Sequence, residues 1–81
     1  NYSSHTSVFK ILKDGNVGVG ATTIDASAKL QVDSTTQGLL PPRMTTTQKN
    51  AISSPANGLV VYDTTTNKHC GYNGTIWNDL Y

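Results

Sequence analysis

Read for apolar and polar positions, the chain falls into short apolar runs separated by turn residues. Val8-Phe9-Lys10-Ile11-Leu12 comes first, and its β-branched and aromatic residues predict a strand. Asp14-Gly15 follows, a dipeptide suited to a tight turn because both residues tolerate positive φ. Asn16-Val17-Gly18-Val19-Gly20 then alternates apolar with small residues. A strand with one face made only of glycine implies that another backbone passes close to it. Ala21 to Ser27 reads as a loop. Ala28-Lys29-Leu30-Gln31-Val32-Asp33 alternates cleanly, with Ala28, Leu30 and Val32 on one face and Lys29, Gln31 and Asp33 on the other. That is the pattern of a half-buried strand. Ser34 to Gly38 is a turn.

Leu39-Leu40 runs into Pro41-Pro42, which forces extended backbone and starts a crossover. A helix is predicted near 46–52, with Thr45 as cap and Gln48 three residues later at capping-box spacing. Ser53-Ser54-Pro55 stops it. Met44, Ala51 and Ile52 are its expected buried contacts. Lys49 stands where an apolar partner of Met44 would complete a hydrophobic staple. The last third reads as a β-meander. Leu59-Val60-Val61-Tyr62 forms one strand, Lys68 to Tyr72 a second, and Thr75-Ile76-Trp77 a third. Asp63 to Asn67 and Asn73-Gly74 supply the turns. Tyr62 and Trp77 are expected on neighbouring strands.

Composition sharpens this picture. Seventeen of the 81 residues are Val, Ile, Leu or Phe, against twelve Thr, seven Ser, seven Asn and seven Gly. Such a mix favours strands and tight turns over helices. So few strongly apolar residues sit at the edge of what folds alone. Chains that stay disordered at this level usually also carry high net charge; here 14% of residues are charged and the net charge is +1. The core is therefore thin, and association between copies is the simplest source of the missing burial.

The same arithmetic excludes several classes. The single cysteine, Cys70, makes no internal disulfide, so the chain is not a disulfide-stapled miniprotein. No apolar stretch approaches the ~20 residues of a membrane span. The six basic residues form no run or face, which argues against nucleic-acid binding. The chain opens on Asn1 without a visible signal peptide and reads as a piece of something longer.

Candidate chemistry is sparse. Gly15-Asn16-Val17-Gly18-Val19-Gly20 has the order G-x-x-G-x-G, not that of a dinucleotide loop, and no long helix follows it. His69 and Cys70 are adjacent and point to opposite faces in a strand. No pair of metal-ligand spacing exists. A trimer would alter this, since His5 or His69 near a threefold axis would recur three times and could hold an axial ion. Asp14, Asp63 and Asp79 sit at turn positions, leaving Asp25 and Asp33, and no motif places a catalytic triad. No enzyme activity and no cofactor are expected. Asn1 and Asn73 fit glycosylation sequons, with Asn73 read as a turn residue. Tyr62, Tyr72, Trp77 and Tyr81 gather in the final third, either as the main hydrophobic mass or as a sugar-stacking surface. Packing is the preferred reading, because the chain has little else to bury.

Three motifs in order resemble a known family. Asn16-Val17-Gly18-Val19-Gly20-Ala21-Thr22-Thr23 with Ala28-Lys29-Leu30-Gln31-Val32 is the first. Gly38 through Thr45, with Asn50-Ala51-Ile52 and Pro55 through Tyr62, is the second. Asp63 through Lys68, with Tyr72-Asn73-Gly74-Thr75-Ile76-Trp77, is the third. Together they resemble trimeric phage tail-fibre and tailspike modules of the kind that precede an intramolecular chaperone domain, also found in bacterial surface proteins. His69-Cys70-Gly71 replaces apolar or aromatic residues usual in that family.

The resemblance implies a mainly β, intertwined homotrimeric fibre-type structure, with the short helix near 46–52 and the C-terminal meander. Residues 1–15 are expected to be an extended lead-in and first strand, and 16–81 the trimeric module. Val17, Val19, Leu30, Val32, Leu39, Leu40, Val61 and Trp77 are expected to pack between chains. Threefold wrapping would also bring backbones close at Gly18 and Gly20. The implied role is structural and adhesive, in an extracellular virion tail fibre, with the chain's own copies as partner. A host glycan or protein is the further partner, contacted through Tyr72, Asn73, Trp77 and Tyr81. The alternatives are a carbohydrate-binding tip with direct aromatic–sugar contacts and a bacterial surface adhesin.

Overall fold

The computed structural model describes residues 9–81, in two compact units that meet in sequence between Leu39 and Leu40. The expected lead-in, Val8 and His5 lie outside the described residues. The fold is mainly β, with two small mixed sheets and one short helix among the described residues.

In the first unit β1 (Phe9–Ile11), β2 (Val17–Val19) and β3 (Leu30–Val32) form a sheet in that order. The β1–β2 hairpin closes through Gly15 N–H donating to Leu12 O at 2.8 Å and Leu12 N–H to Asn16 O at 2.9 Å. Gly15 sits at φ 90°, where an L side chain is strained. β3 adds parallel to β2, so the chain must cross over between them. The crossover lies on the face that carries Lys10, Gly18 and Gln31. Lys10 Nζ donates to Thr22 O at 2.8 Å, Gln31 Nε2 to Thr23 O at 3.1 Å, and Asp25 N–H to Gln31 Oε1 at 2.8 Å.

The two glycines expected to admit a second chain are used within this one. A Cβ on Gly18 would stand 2.8 Å from Ile24 Cδ1, so the missing side chain admits Ile24. Gly20 has φ 74°, and its Cβ would stand 2.5 Å from the Asp33 carbonyl oxygen. What passes close is a side chain at one position and the chain's own backbone at the other.

The second unit is a four-stranded sheet in the order β4 (Arg43–Met44), β5 (Val60–Asp63), β6 (Lys68–Tyr72), β7 (Trp77–Asp79), with helix α1 (Thr46–Asn50) between β4 and β5. The diproline segment does run extended. Tyr62 N–H donates to Pro42 O and Thr64 N–H to Met44 O, both at 2.8 Å, which joins β4 parallel to β5. α1 carries the full capping box: Gln48 N–H donates to Thr45 Oγ1 at 3.2 Å and Thr45 N–H to Gln48 Oε1 at 2.9 Å. The helix ends earlier than expected, at Asn50. Ala51 becomes its exposed C-cap, while Ile52 and Met44 are half-buried.

The meander forms with one shift. Asn73 Oδ1 accepts from both Thr75 N–H and Ile76 N–H at 2.9 Å, which stretches the turn to Ile76. The last strand therefore starts at Trp77, opposite Tyr72. Tyr62 and Trp77 are not on neighbouring strands, since β6 lies between β5 and β7.

The cap gives the first prediction. Thr45→Ala removes the acceptor for Gln48 N–H and should cost roughly 0.5–2 kcal/mol per chain. Thermal melting followed by circular dichroism measures it, and a variant melting like the parent would remove the cap from the account.

Candidate functional site

Register places the apolar residues of the first sheet on one face. Phe9 pairs with Val19 and Val19 with Val32; Ile11 pairs with Val17 and Val17 with Leu30. Side chains alternate across a sheet, so these six share a face and Lys10, Gly18 and Gln31 share the other. The crossover covers the glycine face. The apolar face stays open: Phe9 is 62% and Leu30 58% exposed, Ile11, Val19 and Val32 are exposed, and Val17 is half-buried. The half-buried strand predicted at 28–33 is thus turned over, with half-buried Gln31 under the crossover and Leu30 and Val32 outside.

In the second unit the burial is polar. Among the described residues, the buried apolar side chains are Ala21, Val61 and Cys70, and the buried charged ones are Lys49 and Asp63. Lys49 is 8% exposed and Asp63 0%. Lys49 Nζ lies 3.0 Å from Asp63 Oδ2 and 3.7 Å from Cys70 Sγ. Asp63 Oδ2 also accepts from Thr46 Oγ1 at 2.7 Å, and Oδ1 from the N–H groups of Thr65 at 2.9 Å and Thr66 at 3.2 Å. No buried side-chain N or O atom among the described residues lacks a partner. The Thr46 hydroxyl, aided by Lys49 and the two amides, holds the Asp63 carboxyl at about 2 against the opposing effect of burial. Burial pushes the Lys49 ammonium down, but the Asp63 hydrogen bond and nearby negative charge outweigh it and its pKa is raised. Burial first, then Asp79, pushes the Cys70 thiol up, which keeps it protonated and inert. The cluster is a structural ion pair tying α1 to β5 and β6.

Residues 18–81 match the family model described as phage tail like trimerisation region, about four-fifths of the chain. The chain belongs to that family. No curated protein and no solved structure matches it. The family is one of trimerising structural modules, not of enzymes, and it makes further copies of this chain the partner. Its phage tail-like character agrees with the three motifs. No helix among the described residues is long and apolar enough to cross a membrane.

The expected packing residues differ in exposure within the chain. Val19, Leu30, Val32, Leu39 and Leu40 are exposed, and Val17 and Trp77 half-buried. Val61 is already buried by its own chain. Of the expected receptor contacts, Tyr72 Oη donates to Thr75 O at 3.0 Å, and Asn73 holds the turn. Trp77 packs edge-on against Tyr72 at 5.2 Å, with Lys49 Nζ 5.7 Å from the centre of its indole. Tyr81 is exposed, its hydroxyl 2.8 Å from His69 Nδ1. Among the described residues no three His, Cys, Asp or Glu side chains gather to hold a metal. Asp79 is a strand residue beside Cys70, and Asp25 caps a turn at Ser27, the reverse of their expected places.

The Lys49–Asp63 pair was missed from sequence, although Lys49 in the staple position was its signal. A pH prediction follows. An unfolded Asp titrates near ~3.9, and Asp63 in the fold near about 2. Its contribution is therefore complete above about pH 4 and lost as pH falls through about 2. Melting followed by fluorescence of Trp77, the chain's one tryptophan, should show that loss. Asp63→Asn should flatten it and lower stability at neutral pH, because Lys49 is left buried without its counter-charge. An unchanged acid slope in Asp63→Asn would contradict the assignment.

Proposed function

We propose that this chain is a trimerising piece of a phage tail fibre or tailspike, with residues 16–81 as the module. It holds three chains in register, stiffens the fibre and carries a host-facing surface. The carrying observation is that Val19, Leu30, Val32, Leu39 and Leu40 remain exposed in a chain that already has too little to bury. A lone chain would leave much of its strongly apolar mass in water, and two further copies supply the cover. The three ordered motifs support a tail fibre as the setting. Light scattering at micromolar concentration should give three times the 8.7 kDa chain mass. A stable folded monomer would overturn the proposal.

Within this reading the aromatic end serves packing. Its support is that Tyr72, Asn73 and Trp77 are already engaged within the chain. Trp77→Ala should destabilise the trimer by roughly 3 kcal/mol per copy, the low end for a buried tryptophan because the ring is half-exposed in one chain. Unchanged melting together with loss of glycan binding on an array would transfer Trp77 to a sugar site.

A further inference from the structure

We infer that the trimer closes through the open face of the first sheet, with β2 nearest the threefold axis and β1 of each chain beside β3 of the next. The inference rests on the trimeric reading above and adds the surface and arrangement. The face has the chemistry of an interface core. It presents Phe9, Val19 and Val32 in one row and Ile11, Val17 and Leu30 in the next, with no charged residue between them. The charged and amide side chains of these strands, Lys10 and Gln31, lie on the opposite face and bond to the crossover. That face is occupied, so the apolar one is what remains to meet a partner. The occupant is a second and a third copy of this chain, because the family trimerises and its matched span contains β3 and most of β2.

Symmetry then fixes the arrangement. A threefold interface is heterologous: one edge of the patch meets the other edge on the neighbour. The sheet order β1-β2-β3 puts β2 in the middle and gives the face two different edges. Around the axis, the Val17 and Val19 side chains of three chains converge. Phe9 and Ile11 of one chain pack against Val32 and Leu30 of the next. Each row becomes one layer of a shared core, with three side chains from every chain.

The test uses a distance that one chain cannot span. β1 and β3 are separated by β2, so Phe9 and Val32 lie two strand spacings apart, ~9.5 Å. A disulfide needs Cα atoms within ~7 Å. In the double variant Phe9→Cys/Val32→Cys, oxidation should therefore link chains and give covalent dimers and trimers on a non-reducing gel. Lys10→Cys/Gln31→Cys, with the same spacing on the covered face, should stay at single-chain mass. Cys70 is fully buried and stays out of the exchange. As a second measure, Val32→Asp should reduce the mass in solution to one chain, while Val60→Asp, an exposed site in the second unit, should leave it trimeric. A parent that is trimeric by light scattering, yet gives no cross-link and stays trimeric as Val32→Asp, would overturn this arrangement and leave the trimeric reading standing. A monomeric parent would overturn both.

Discussion

The missing side chain at Gly18 decides how the first unit distributes its few apolar groups. Because nothing projects there, Ile24 settles onto the middle of the sheet and brings the crossover with it. Lys10 and Gln31 then find backbone partners in that crossover. One face of a three-stranded sheet is thereby closed with two aliphatic side chains, Ile24 and the buried Ala21, and a few hydrogen bonds. Of the six apolar residues on the other face, five are left exposed and Val17 is half-buried. Apolar surface gains free energy when it is removed from water, so the local solution within one chain creates the demand for others.

The second unit meets the same shortage differently. Where a larger core would place Leu or Phe, it buries an ammonium and a carboxylate and satisfies both. Asp63 binds Lys49, Thr46 and two turn amides at once, so the residue that starts the β5–β6 turn also anchors α1. Buried pairs of this kind add little net stability compared with a hydrophobic replacement, yet removing one partner is costly. The arrangement therefore specifies where α1 lies more than it strengthens the fold. The aliphatic stem of Lys49 adds packing, and its charged end comes near Trp77.

Much of this was legible in the sequence. The capped helix, the extended diproline, the Asp14-Gly15 turn and the meander followed from turn chemistry and short-range pattern, which act within a few residues. Alternation in 28–33 correctly separated Leu30 and Val32 from Gln31. It did not say which face would be covered, because that depends on a crossover whose packing rests on Ile24 and Gly18. The Asn73 turn was longer than its dipeptide suggested, because the side-chain oxygen captures two amides. The β4–β5 pairing and the Lys49–Asp63 pair escaped for the same reason: each joins residues far apart in sequence, and pattern reading sees only neighbours. For the function, the low apolar content points to association between copies, and the resemblance carried by the three motifs in order points to a trimer.

The central claim is that apolar surface open in one chain becomes the core of three. The most direct measurement is the melting temperature of the parent chain across a hundredfold range of concentration. A folded state that exists only as an assembly gains stability by mass action, so the account predicts a melting temperature that rises steadily with concentration. Cooperative melting at one temperature throughout that range, from a species of single-chain mass, would contradict it.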